Sequence, residues 1–144
     1  MVGLKKILVV DDEAGIRSLL FDVLSGEGFN VTLAKDGRDS LDQMKSRRFD
    51  LLITDINMPE LDGIELLRKM KEAGRRERVI VMTGRLVDES NLGNDLQPVF
   101  TLLQKPFHIH NFLEVVFSAL AKSPKRPARR GPSSRRRVAR CSIN

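Results

Sequence analysis

The chain has 144 residues and contains neither tryptophan nor tyrosine. That weakens any site that holds a flat ligand by stacking it on an amphipathic ring. Its single cysteine, Cys141, excludes an intrachain disulfide. No apolar run approaches the ~20 residues that span a bilayer. The run at Ile7–Val10, ILVV, is too short for a signal-peptide core, and acids follow it at once. These absences lead to the expectation of a cytoplasmic protein with no membrane partner. Hydrophobic residues make up 41% of the chain, enough for one domain with a packed core.

The net charge of +6 is divided unevenly. Of the 25 basic residues, nine lie in 122–144, where there is no acid. The other 16 face 19 acids in 1–121, so a mildly acidic body precedes a strongly basic tail. The tail, KSPKRPARRGPSSRRRVARCSIN, is rich in Arg, Pro and Ser and poor in apolar residues. Such a segment buries too little surface to offset its chain entropy and is expected to be disordered. The expected organisation is one folded domain over 1–121, a tail over 122–144, and no second folded domain after residue 121.

Within the body, two hydrophobic periods alternate. KKILVV, NVTLA, DLLIT, RVIVMT and VFTLLQ read as short strands. Between and after them, residues 14–26, 36–48, 63–74, 87–96 and 108–122 read as helices, the fourth weakened by Asn91, Gly93 and Asn94. The first helix is expected to bury Ile16, Leu19, Leu20, Val23 and Leu24, and the last to bury Ile109, Phe112, Val116 and Leu120. Five strands alternating with five helices imply an α/β fold, a parallel sheet covered on both faces.

In such open sheets the chemistry collects at the carboxyl ends of the strands. Strand one ends in Asp11, Asp12 and Glu13, and strand three in Asp55 within LLITDINMPELDG. Strand four ends in Thr83 and strand five in Lys105, followed by Pro106. If strands one and three are neighbours, their aspartates crowd one edge and raise one another's pKa values until a cation neutralises them. Hard carboxylate oxygens with room for water suit Mg²⁺. A carboxylate beside that ion can attack a phosphoryl group and form an acyl phosphate. The Thr83 hydroxyl and the Lys105 charge can stabilise its oxygens.

ILVVDDE, LLITDINMPELDG, VIVMTG and LLQKPF, in that order, resemble the receiver domain of bacterial two-component response regulators. The resemblance covers residues 4–121. It implies a doubly wound, flavodoxin-like sheet of five parallel strands in the order 2-1-3-4-5. It also implies that Asp55 accepts phosphate and that Thr83 and Lys105 contact the phosphoryl group. Asp11, Asp12, Asp55 and the backbone carbonyl of Asn57 would hold Mg²⁺, directly or through water. The Lys105–Pro106 peptide is expected to be cis. The implied donor is a sensor histidine kinase or phosphotransfer protein, and the output is binding of a downstream protein. The chain is expected to act as a single-domain regulator that catalyses only its own phosphorylation and dephosphorylation.

Other classes fit less well. An aspartyl-phosphate hydrolase places a second aspartate two residues after the first, where this chain has Asn57. A flavodoxin-like electron carrier needs a phosphate-cradling first loop, yet DDEAG is acidic. His108 and His110 fall on different faces of a helix, which disfavours a joint metal or catalytic role. Met58 and Met82 read as packing residues. Many receivers carry an aromatic three residues before the lysine; here that position is Leu102, with Phe100 expected on the same strand face. Arg85, two residues after Thr83, is placed to influence attack by water. For the tail, two kinds of reading stand: a solvated segment or one resting loosely on the acidic body, against a weak, sequence-tolerant contact with nucleic acid.

Overall fold

The computed structural model describes residues 3–58, 61–84 and 97–121. Five strands form one sheet: β1 (Lys6–Val10), β2 (Asn30–Ala34), β3 (Leu51–Asp55), β4 (Arg78–Thr83) and β5 (Thr101–Gln104). All pairings are parallel and the order is β2-β1-β3-β4-β5. Four helices accompany them among the described residues: α1 (Ala14–Gly26), α2 (Gly37–Ser46), α3 (Gly63–Glu72) and α4 (Ile109–Ala121). The helix expected over 87–96, the loop residue Pro59 and the tail lie outside the described residues.

The strands read as continuous apolar runs because both faces of the sheet are covered. Ile7, Val9, Leu51, Ile53, Ile80 and Met82 face α1 and α4, which contribute Leu20, Leu24, Phe112, Val115, Val116 and Ala119. Leu8, Val10, Leu52, Val79 and Val81 face the other way, against Met44 of α2 and Leu66, Leu67 and Met70 of α3. Burying each such side chain stabilises the fold by about 1.5–3 kcal/mol relative to exposure. Alternation along each strand thus feeds two cores, and a one-residue slip would exchange them.

Helix ends follow local chemistry. Asp36 and Asp62 cap α2 and α3, accepting the amides of Asp39 and Glu65 at 2.9 Å each. Asp36 therefore stands before α2 rather than within it. Gly74 and Gly28, with φ of 72° and 92°, follow α3 and α1, where a left-handed residue reverses the chain. The buried stripes differ in detail from the periodicity. Leu19 is exposed and α1 buries Leu20 and Leu24, flanked by the half-buried Ile16 and Val23. In α4, Val115 and Ala119 complete the buried face with Phe112 and Val116, while Ile109 and Leu120 are half-buried. Short helices seat a narrow stripe on a flat sheet, so apolar positions on its flanks stay partly in solvent.

The end of the sheet opposite the strand carboxyl termini is tied by an ion pair between the half-buried Arg75 and the buried Glu77. The Arg75 guanidinium also donates to the carbonyls of Met44 and Arg47, each at 2.9 Å. The Glu77 carboxylate accepts the Phe49 amide at 3.1 Å. The Gln97 side-chain amide donates to the carbonyls of Arg75 and Glu77, each at 3.0 Å. This network joins the exit of α2, the entry of β4 and the approach to β5.

Candidate functional site

Registration of β1, β3 and β4 brings the sequence-predicted residues to one end of the sheet. Val10 pairs with Thr54 and Asp55 pairs with Met82. Asp11 therefore sits beside Asp55, and Thr83 lies one residue past the partner of Asp55. Thr83 pairs with Gln104, and the Lys105 amide donates to the Thr83 carbonyl at 2.7 Å. Four strand ends thus contribute to one edge.

Asp11 is fully buried, Asp55 and Thr83 are buried, and Asp12 is exposed. Oxygens of Asp11, Asp12 and Asp55 all lie within 4.8 Å of one another. The Lys105 ammonium bridges the two buried acids, 3.1 Å from Asp11 Oδ2 and 3.0 Å from Asp55 Oδ2. The remaining carboxylate oxygens meet the backbone: Asp11 Oδ1 accepts the Glu13 amide at 2.9 Å, and Asp55 Oδ1 accepts the Asn57 amide at 3.1 Å. Each aspartate closes a turn onto the residue two positions on, which aims its second oxygen into the site.

Burial is the main cause that raises the Asp11 pKa, and the Asp55 charge adds to it, against the lowering pull of the Glu13 amide and Lys105. Burial pulls the Lys105 pKa down, but its contacts with Asp55 and Asp11 outweigh that and raise it. Among the described residues, Lys105 is the one cation bonded to the two buried carboxylates, with the exposed Asp12 beside them. The donor set is all oxygen, partly open to water, and short of positive charge; it fits a hard divalent ion.

Gly63 lets the α3 entry press on the site. An added Cβ there would lie 2.6 Å from the Asp55 carbonyl oxygen. Gly37 plays the same part where α2 meets the loop before α3, with the Leu61 carbonyl 2.4 Å from the position of a Cβ. The Lys105–Pro106 peptide is cis, as the resemblance implied.

Sequence reasoning left two participants without a role. Glu13 reaches to 3.8 Å from the Lys105 ammonium, and Arg17 donates from Nη1 to the Asp11 carbonyl at 2.7 Å. The signal for Arg17 was a cation in the first turn of a helix that follows an acidic loop. One expectation is corrected. Phe100 does not share a face with Leu102, because β5 begins only at Thr101 and the bend before it breaks the alternation. The Phe100 ring packs towards the α1/α4 core, 5.6 Å from the Arg78 guanidinium, whereas Leu102 packs on the α2/α3 core. Met58 and Met82 are buried in those cores, and His108 and His110 are exposed. Arg85 lies outside the described residues.

A five-stranded parallel sheet in the order β2-β1-β3-β4-β5, with three acids and a lysine gathered at its carboxyl edge, is the arrangement of a signalling receiver domain. The response regulator receiver domain family matches residues 7–117, and the chain belongs to it. Among curated relatives, sporulation initiation phosphotransferase F of Bacillus subtilis is 38% identical over 117 residues, covering 78% of this chain and 90% of that protein. The response regulator receiver protein CpdR of Brucella abortus is 32% identical over 113 residues, covering 78% and 94%. The response regulator MprA of Mycolicibacterium vanbaalenii is 39% identical, but the chain spans only 47% of it. A CheY-like receiver domain protein from Methanospirillum hungatei superposes with a TM-score of 0.75 at 29% identity, covering 83% of this chain and 95% of that one. Membership places the chain in two-component signalling through aspartate phosphorylation, with histidine kinases or phosphotransfer proteins as its class of partner. Among the described residues no helix is long and apolar enough to cross a membrane.

Proposed function

We propose that Asp55 is the phospho-acceptor of a receiver that signals through partner binding. The carrying observation is Lys105 bridging the Asp55 and Asp11 carboxylates beside Asp12. An Asp55 carboxylate oxygen attacks the phosphorus of a phosphohistidine; the P–N bond breaks, the imidazole leaves and takes up a proton, and an acyl phosphate forms. Lys105 meets the new phosphoryl oxygens from its place against Asp55, and the Thr83 hydroxyl meets them from the end of β4. Asp11, Asp12, Asp55 and the Asn57 carbonyl would hold Mg²⁺, which when bound neutralises charge on the transferring group. The chemistry of the domain is confined to its own aspartate, with water later cleaving the acyl phosphate.

The chain spans CpdR and the sporulation phosphotransferase almost end to end, which supports output by the receiver itself. We place it in the cytoplasm, where a kinase would supply phosphate. The domain occupies 1–121, and the tail over 122–144, with nine cations and no acid, adds weak, salt-sensitive contact with nucleic acid.

The test is incubation with acetyl phosphate and Mg²⁺, followed by mapping of the label. Label is expected on Asp55 alone, abolished by chelation and by Asp55→Asn; undiminished label in Asp55→Asn rejects the reading. A DNA titration comparing the full chain with one ending at Ala121 tests the tail, and equal affinity at low salt removes it from any binding role.

A further inference from the structure

Arg17 stands where helix energetics argue against a cation. It lies in the first turn of α1, at the positive end of the helix dipole. That turn has no acidic residue, and the capping position, Glu13, makes no side-chain capping bond. The half-buried guanidinium instead donates to the Asp11 carbonyl at 2.7 Å, a short charge-assisted bond. The other anchors of Asp11 are its amide, which donates to the Ala34 carbonyl at 3.2 Å, and its carboxylate, held by the Glu13 amide and Lys105. Among the described residues, the Arg17 guanidinium makes the one side-chain bond from α1 back to Asp11, beside the bond of the Arg17 amide to the Glu13 carbonyl at 3.1 Å. It closes the loop that carries Asp12 and Glu13.

Resting on the reading of Asp11, Asp12 and Asp55 as a Mg²⁺ site, we infer that Arg17 is a positioning residue for that site. It holds the β1–α1 loop so that Asp11 and the exposed Asp12 converge on Asp55. Two effects of removing it oppose each other. Loss of a nearby positive charge favours a cation, whereas loss of the clamp lets the loop splay. The charge effect is the smaller, because Arg17 bonds a carbonyl and its charge is partly screened by water, while Lys105 sits directly on the carboxylates. Losing a contact that orients metal ligands typically weakens metal binding about 10–100-fold. The sign of the change in affinity therefore separates a clamp from a mere competitor of the ion.

The experiment is Mg²⁺ binding by calorimetry and amide NMR on the full chain, in wild type, Arg17→Gln, Arg17→Lys and Asp12→Ala. Arg17→Gln is expected to weaken Mg²⁺ about tenfold, with faster exchange of the Asp12 and Glu13 amides and a small fall in the metal-free melting point, since loss of the bond is partly offset by relief at the helix N-terminus. Arg17→Lys, which keeps a cationic donor, is expected to fall between it and wild type. Equal or tighter binding in Arg17→Gln, with wild type binding Mg²⁺, overturns the inference. Wild type failing to bind, or Asp12→Ala binding as well as wild type, instead overturns the metal reading itself. Should Arg17→Gln not fold, the wild type decides: the inference requires an Arg17 guanidinium NMR signal protected from exchange, and a freely exchanging one overturns it.

Discussion

Replacing Gly63 with alanine would put a Cβ 2.6 Å from the Asp55 carbonyl oxygen and 2.8 Å from the Ile56 Cα. Both neighbours are backbone, and neither yields easily. The Asp55 carbonyl also accepts the Thr54 hydroxyl at 2.9 Å. The Ile56 amide donates to the Met82 carbonyl at 3.2 Å, and the Gly63 amide donates to the Ile56 carbonyl at 2.9 Å. Forcing atoms into a well-packed place costs about 1–3 kcal/mol. Against it stands the better helix propensity of alanine, worth at most about 1 kcal/mol. The net expectation is a loss of about 1–2 kcal/mol, or a fall in melting point of roughly 4–8 °C for a domain of this size. The relief must come from moving the main chain that carries Asp55, so labelling by acetyl phosphate is expected to slow at least about tenfold, since small misplacements of reacting groups are expensive. Far-UV circular dichroism suits the melts because the chain lacks tryptophan and tyrosine. Gly15→Ala is the control: a Cβ there meets nothing within 4 Å, and stability should hold or rise. A Gly63→Ala protein that melts and labels like wild type would refute the close-approach argument.

At the far end of the sheet, Glu77→Ala leaves the half-buried Arg75 and the buried Phe49 amide without their partner and should cost at most about 3–5 kcal/mol by denaturant titration. Replacing Arg75 and Glu77 together with apolar residues should recover the part due to the unpaired charge but not the bonds to the Phe49 amide and the Met44 and Arg47 carbonyls; single losses that simply add in the double variant would contradict the pairing. The Ser40 hydroxyl is buried with no hydrogen-bond partner among the described residues, so Ser40→Ala should leave stability unchanged or raise it by up to about 1–3 kcal/mol; a clear loss would reveal a partner. Asp11 has a folded pKa raised above its ordinary 3.8, so the folded state binds the extra proton and metal-free stability should fall as pH rises from about 3.8 through the raised value. Asp11→Asn should flatten that fall, and an unchanged pH profile would show that another group carries it. Lys105, raised above 10.5, adds stability below that value that is lost as pH rises through its folded pKa.

Much of the molecule is a local property of its sequence. Short β-branched runs separated by helical periods determine a parallel sheet, because strands buried on both faces must be apolar throughout while their crossovers show one apolar stripe. Asp11, Asp12, Asp55, Thr83 and Lys105 were legible as candidates because each ends such a run or lies within two residues of its end. The capping aspartates, Asp36 and Asp62, were equally local but carried no role in that reading. Other features depend on parts of the chain far apart in sequence. Lys105 meets Asp11 and Asp55 only because β5 and β1 both deliver their ends to one edge, across 94 and 50 residues. The opposite faces of Phe100 and Leu102 follow from where pairing with β4 begins, which a strand pattern extended backwards to Val99 misplaces. Glu77 reads as a surface acid until Arg75, Phe49 and Gln97 enclose it. Arg17 reads as an ordinary helix cation until the turn after β1 presents the Asp11 carbonyl to it. Side-chain periodicity reports which face a residue occupies; which groups meet there is decided by strand order and register, and those arise from packing the whole sheet at once.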